Sequence, residues 1–336
     1  MTRVLITGIT GMVGSHLADY LTENTTWEIH GLLRWRSPLN NISHLIENVN
    51  ENKIKLHYGD LHDSISIDRA VQKSKPDFVF HLAAQSFPKT SFDAPLDTLE
   101  TNIQGTNRIL ESIKNHSPEA IVHICSSSEI FGRVPVEKTP IDEECTFHPA
   151  SPYAISKVGT DLIGRFYAEA YGLKTLTTRM FTHTGPRRGD VFAESSFAKQ
   201  IALIEKGYIK PVIKVGNLKS LRTIADVRDA VRAYFMLVTI NPVPGEYYNI
   251  GGTHVSEVGE ILNFLISKST SASKIEVEVD PQRLRPIDAD LQIPNTQKFQ
   301  KHTGWKPQIT FDKTMCDLLD YWRMRVNKEG NTFLTR

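Results

Sequence analysis

Residues 3–17, RVLITGITGMVGSHL, constrain the fold more than any other stretch of the chain. A β-branched run, RVLIT, meets glycine at Gly8, and Gly11 and Gly14 follow at three-residue spacing. Beyond them Val13, Leu17 and Leu21 recur four apart, as on the buried face of a helix. Strand, glycine turn and helix in that order open a dinucleotide-binding unit. Gly8 permits a tight turn, Gly11 lets backbone approach a pyrophosphate, and Gly14 lets the helix sit close to the sheet. Thr10, Met12 and Val13, interleaved with the glycines, are expected to touch the same ligand.

The pattern repeats. WEIHGLLR (27–34), IKLHYGD (54–60), PDFVFHLAA (76–84) and AIVHICSS (120–127) read as strands. SIDRAVQKSK (66–75) and the segment near 95–114, with Ile103, Ile109 and Ile113 on one side, read as helices. Such alternation implies α/β architecture with a doubly wound parallel (Rossmann) sheet. After about residue 180 the rhythm loosens into polar loops, HTGPRRGDVF first among them. A chain of 336 residues suits one nucleotide-binding domain with a smaller unit added. A Rossmann domain is therefore expected over 1–180, and a smaller, mainly substrate-binding α/β domain over 181–336. EYYNIGG (246–252) reads as a strand that either returns to the first sheet or pairs locally.

Lys and Arg number 39 against 38 for Asp and Glu, so no charge excess favours nucleic acid or a membrane surface as partner. Apolar runs such as FVFHLAA fall short of the ~20 residues that span a bilayer. The three cysteines, Cys125, Cys145 and Cys316, lack CxxC spacing, and the N-terminus runs straight into a strand. The expected compartment is the cytoplasm, with no structural metal.

Twenty positions beyond Gly14, where an acidic residue usually holds the ribose hydroxyls of NAD, stands Arg34, with Arg36 and Ser37 close behind. Arginine there accommodates a 2′-phosphate, which favours NADP over NAD. Asp60 and Leu61 follow a predicted strand and are expected to flank the adenine. Leu82, Ala83, Ala84 and Gln85 end another strand at the edge where such sheets bind ligands.

Two further stretches carry chemistry: SSSEIFG (126–132) and SPYAISK (151–157). Ser151 can cap a helix with Pro152 at its first position, which puts Tyr153 and Lys157 one turn apart on one face. A neighbouring ammonium lowers a phenol's pKa, so Tyr153 is expected to act as a general base while Lys157 holds the nicotinamide ribose.

With TGITGMVG and the Tyr153–Lys157 pair together, the chain resembles the extended short-chain dehydrogenase/reductase family over nearly its whole length. More narrowly it is similar to the branch acting on GDP-linked sugars, through LAAQSF, SPYAISK, GPRRG and RLRPIDADL. That branch holds both 4,6-dehydratases and 4-keto-6-deoxy-sugar reductases. The resemblance implies that Ser127 bonds the sugar 4-hydroxyl, that Glu129 is the acid/base of a dehydration, and that Ser128 assists it. It places His183 and Arg188 against the cofactor, and Arg222 and Arg285 against the GDP. Ser86, Thr182 and Asn217 are further expected substrate contacts.

Thr182 stands where the branch commonly has asparagine, and Ser127 where many dehydratases have threonine. A GDP-hexose other than mannose, or a GDP-heptose, therefore stays open as substrate. HTGP in turn resembles the reductases, and a dinucleotide sensor without catalysis is the reading from another class. The resemblance also implies a homodimer or homotetramer, with RWRSPLNN at a subunit contact.

Overall fold

The computed structural model describes residues 1–46, 54–287 and 289–330; Asp288, within the RLRPIDADL motif, lies outside them. RVLIT forms β1 (Arg3–Thr7), followed by β2 (Glu28–Leu33), β3 (Ile54–Tyr58), β4 (Phe78–His81), β5 (Ile121–Cys125) and β6 (Lys174–Met180). Further along come β7 (His183–Thr184), β8 (Val212–Val215), β9 (Leu221–Asp226), β10 (Tyr247–Ile250), β11 (His254–Glu257), β12 (Glu276–Val279) and β13 (Leu291–Gln292).

A seven-stranded sheet runs in the order β10-β6-β5-β4-β1-β2-β3, all neighbours parallel. β1, an interior strand of this sheet, is buried on both faces because side chains alternate along it. Val4 and Ile6 join the core shared by helices Met12–Asn24 and Val227–Thr239, while Leu5 joins the opposite core with helices Ser64–Ser74 and Gly105–His116. From β1 the chain proceeds to β2 and β3 on one side and then to β4 on the other, so the strand order reverses beside β1. The crevice at such a reversal is where open α/β sheets hold their ligands.

Parallel pairing puts every carboxyl end at one edge, with Thr7 level with Leu32 and His81. The strands stop earlier than their sequence patterns suggest. Gly8, Arg34, Asp60, the 82–84 run, Ser126 and Ser127 all lie just past a strand end, in the loops of that edge. The helix expected near 95–114 is also interrupted: Pro95–Leu99 and Gly105–His116 are joined by a π-helical turn, Glu100–Gln104, in which Asn102 is buried.

Beyond β6 a second core gathers helices Ala193–Glu205, Val258–Ser267 and Phe311–Glu329 around Phe197, Ile261, Leu318 and Trp322. Two small sheets flank it: β11-β9-β13, with β7 on β9, and β12 with β8. EYYNIGG supplies β10, which pairs with β6, so the chain re-enters the large sheet late. Among the described residues, no helix is long and apolar enough to cross a membrane.

Candidate active site

At the carboxyl edge of the large sheet, a cleft of about 1650 Å³ opens between the two cores. That exceeds the ~300–1,000 Å³ typical of a single small-molecule pocket, and gives room for two ligands side by side.

One wall is the glycine turn. Gly8 has φ +71°, a conformation L side chains rarely adopt. A Cβ at Gly14 would stand 2.3 Å from the Gly8 carbonyl oxygen, so only glycine lets the helix approach. Helix Met12–Asn24 starts at Gly11 without a side-chain cap and without an acidic residue in its first turn. Its orphan amides and positive dipole end are thus available to an anion. Thr10, Met12 and Val13 line the same wall, as do Arg34, Ser37, Asp60 and Leu61. These groups fit a phosphorylated dinucleotide. Arg36 is the exception among the expected cofactor residues: it does not line the cleft, and its guanidinium instead lies 4.7 Å from the centre of the exposed Trp35 ring.

The floor is held by two residues that sequence reasoning did not assign to the site. Thr7 Oγ1 accepts the amides of Leu82 and Ala83, each at 3.0 Å, so its own hydrogen goes to His81 Nδ1 at 2.9 Å. Asn102 accepts the Gln85 amide at 2.8 Å and donates to the Gln85 carbonyl and to Ser156 Oγ. Loop 82–85, with Ser86 beyond it, is thereby fastened both to β1 and to the helix that carries Tyr153. The signals available were the threonine opening the glycine motif and a run of polar residues at i,i+4 spacing, Thr98, Asn102 and Thr106, on a buried helix face.

The chemical end is assembled by caps. Ser127 Oγ accepts the Glu129 amide and starts the short 3₁₀ turn Ser128–Phe131. Ser151 Oγ accepts the Ala154 amide and, with Pro152 at the first position, starts helix Pro152–Tyr171. Tyr153 and Lys157 are both buried and both line the cleft, together with Ser127, Ser128 and Glu129. Ser127 and the charge of Arg188 act to favour the ionised Tyr153, while the charge of Glu129 opposes it.

One expectation is corrected here. Lys157 does not lower the pKa of Tyr153: burial raises it, and the Ser127 bond and Arg188 charge only partly oppose that rise. Lys157 Nζ is engaged elsewhere, donating to the Cys125 carbonyl at 2.7 Å, and burial pushes its own pKa down. The pair shares a helix face as expected, but burial rather than the ammonium sets the direction of the phenol's shift.

The opposite wall comes from the second half. His183, whose Nδ1 donates to the Phe181 carbonyl, is pushed down to about 4 by burial and by Arg188. The Arg188 guanidinium lies 3.4 Å from the Phe192 ring centre and 3.4 Å from Glu194. Thr182, Asn217, Arg222 and Arg285 line the cleft with them. Arg222 donates to the Leu221 and Ala289 carbonyls, and Asn217 to Ser220 Oγ. Arg285 reaches across, its guanidinium 3.9 Å from the Glu129 carboxylate. Lys89 bridges the cleft in the other direction, donating to the Gln282 carbonyl.

The sequence pattern of one family, described as "GDP-mannose 4,6 dehydratase", matches residues 5–318. The chain belongs to this family. Among curated relatives, GDP-mannose 4,6 dehydratase 1 of Arabidopsis thaliana is 34% identical over 325 residues, covering 94% of this chain and 88% of that protein. GDP-mannose 4,6 dehydratase of Homo sapiens is 32% identical over 349 residues, covering 96% and 92%. Among solved structures, RMD from Pseudomonas aeruginosa complexed with NADPH superposes with a TM-score of 0.81 at 28% identity, covering 97% of this chain and 100% of that one. For this GDP-mannose 4,6-dehydratase family member, the large parallel sheet with flanking helices agrees with such a neighbour.

Proposed function

We propose that this protein is an NADP-dependent nucleotide-sugar 4,6-dehydratase, a lyase that converts GDP-mannose to GDP-4-keto-6-deoxymannose. The observation that carries the reading is Glu129 in one cleft with Tyr153 and Ser127, close enough for its charge to act on the tyrosine. Moving hydride requires only the hydroxyl, the tyrosine and the lysine; expelling water requires a further acid/base. Glu129 is that group. Family membership and the 30–34% identity of the curated dehydratases support the same reading.

NADP is the proposed dinucleotide. Arg34 lines the cleft, where it would meet a 2′-phosphate, and the similar RMD structure carries NADPH. When bound, the dinucleotide supplies reversible hydride chemistry, accepting from C4 of the sugar and giving back to C6. The protein's residues move the protons. Tyr153 Oη takes the C4 hydroxyl proton in its ionised form, which Ser127 and the Arg188 charge favour against the burial that opposes it. Glu129 removes the C5 hydrogen as a proton and hands a proton to the C6 hydroxyl, which leaves as water beside Ser128. The proton held on Tyr153 balances the one that C5 regains. Arg222, Arg285 and Asn217, with Ser86 and Thr182, are the proposed contacts to the GDP-sugar.

The unpaired cysteines suit the cytoplasm, and a homodimer or homotetramer is the proposed assembly. Mass spectrometry of GDP-mannose incubated with the protein and a trace of NADP⁺ tests the function. The expected product has lost one water with no net cofactor reduction. Unchanged GDP-mannose together with NADPH consumption on a 4-keto-6-deoxy sugar would make the protein a reductase instead.

A further inference from the structure

Arg187, in the HTGPRRGD loop, has φ +68°, which leaves it in the left-handed region without being a glycine. A side chain there is strained, and such strain persists only where surrounding contacts over-determine it. Two contacts tie this loop to helix Met12–Asn24. His16 Nε2 donates to the Pro186 carbonyl at 3.0 Å. Burial, and then the Arg187 charge, pushes His16 down to about 4, so near pH 7 the ring is neutral. Its hydrogen sits on the nitrogen that faces the carbonyl. One turn further along, Asp19 Oδ2 lies 2.7 Å from Arg187 Nη1. This is a charge contact rather than an aligned hydrogen bond, with both side chains largely shielded from solvent.

The two tied elements are opposite walls of one cleft. Met12, Val13 and Gly14 line it on the glycine-turn side, and Arg187, Arg188 and Gly189 on the other. Separating the walls breaks both contacts. We propose that His16, Asp19 and Arg187 form a clasp that slows release of the dinucleotide, with Arg187 as a positioning residue for cofactor retention. The inference rests on the reading of this cleft as an NADP site. It also deepens that reading: a dehydratase ends each turnover with its dinucleotide restored, so slow release costs it nothing, whereas a reductase must exchange cofactor every cycle.

The test is NADPH release from the whole protein, followed by nicotinamide fluorescence after a chase with excess NADP⁺. Arg187→Gly keeps the loop foldable, because glycine tolerates φ +68°, and Asp19→Asn removes one charge without changing shape. Both are expected to release NADPH roughly two- to fivefold faster, in line with loss of a partly shielded ion pair acting on the off-rate. His44, whose Nε2 also lies 2.7 Å from Asp19 but which does not line the cleft, is the control. His44→Gln is expected to release NADPH at the native rate. Native release from both Arg187→Gly and Asp19→Asn, or equal acceleration by His44→Gln, would overturn the clasp while leaving the NADP site intact. A native protein that binds no NADPH would overturn both.

Discussion

Glu129 stands where the two halves of the chain meet, its amide bonded to Ser127 and its carboxylate 3.9 Å from Arg285. The proposed division of labour with Tyr153 separates the two halves of the reaction. Tyr153→Phe is expected to lower kcat by roughly 10²–10⁴, because the C4 proton then has no acceptor. Glu129→Gln is expected to leave part of the C4 oxidation but no water loss, read as reduced cofactor accumulating without a lighter sugar product. Full dehydration by the glutamine variant would refute the role of Glu129. Motif spacing made these residues legible, since tyrosine and lysine one turn apart need only a helix to share a face. Thr7, Asn102 and Arg187 were not legible in the same way. Each matters through partners distant in sequence, such as Gln85 and Ser156 for Asn102, or Asp19 for Arg187.

The strand, glycine turn and helix that open the chain tolerate little change at Gly14. Gly14→Ala would place a Cβ 2.3 Å from backbone oxygen and 2.8 Å from the Ile9 Cα, neither of which can swing aside. The variant is expected to lose NADPH binding in a fluorescence titration and to melt several degrees lower, the usual consequence of ~1–3 kcal/mol of overpacking. Period and composition identified the elements of the first half, and the helix Met12–Asn24 has the bounds its apolar spacing suggests. Strand ends were read too long for a physical reason. The apolar and small residues of HLAA or ICSS continue past the last ladder hydrogen bond because they line a cleft, where burial without pairing selects the same residue types. The π-helical turn at Glu100–Gln104 left no trace in a pattern dominated by isoleucine spacing.

Across the whole molecule, buried histidines couple stability to acidity. Burial holds His16 and His183 down to about 4, and His81 and His123 to about 3, from an ordinary value of 6.5. Folded, these rings bind fewer protons than when unfolded, so their contribution is complete above pH 6.5 and is lost as pH falls toward 4 and below. Melting curves from pH 7.5 to 4.5 are expected to show Tm falling steadily below about pH 6.5. A flat profile would mean that the rings ionise without cost. The parallel sheet was legible as a whole, but the sequence left open whether residues 247–250 return to it or pair locally, because a four-residue strand has no pattern that names its neighbour. That late return also sets a schedule during synthesis. While the chain from Met180 to Tyr247 is being made, the outer side of β6 has no partner, an interval of roughly 3–13 s at ~5–20 residues per second. For those seconds a nascent chain offers a naked strand edge to any neighbouring polypeptide, and the crowding of ribosomes on one message becomes a determinant of yield.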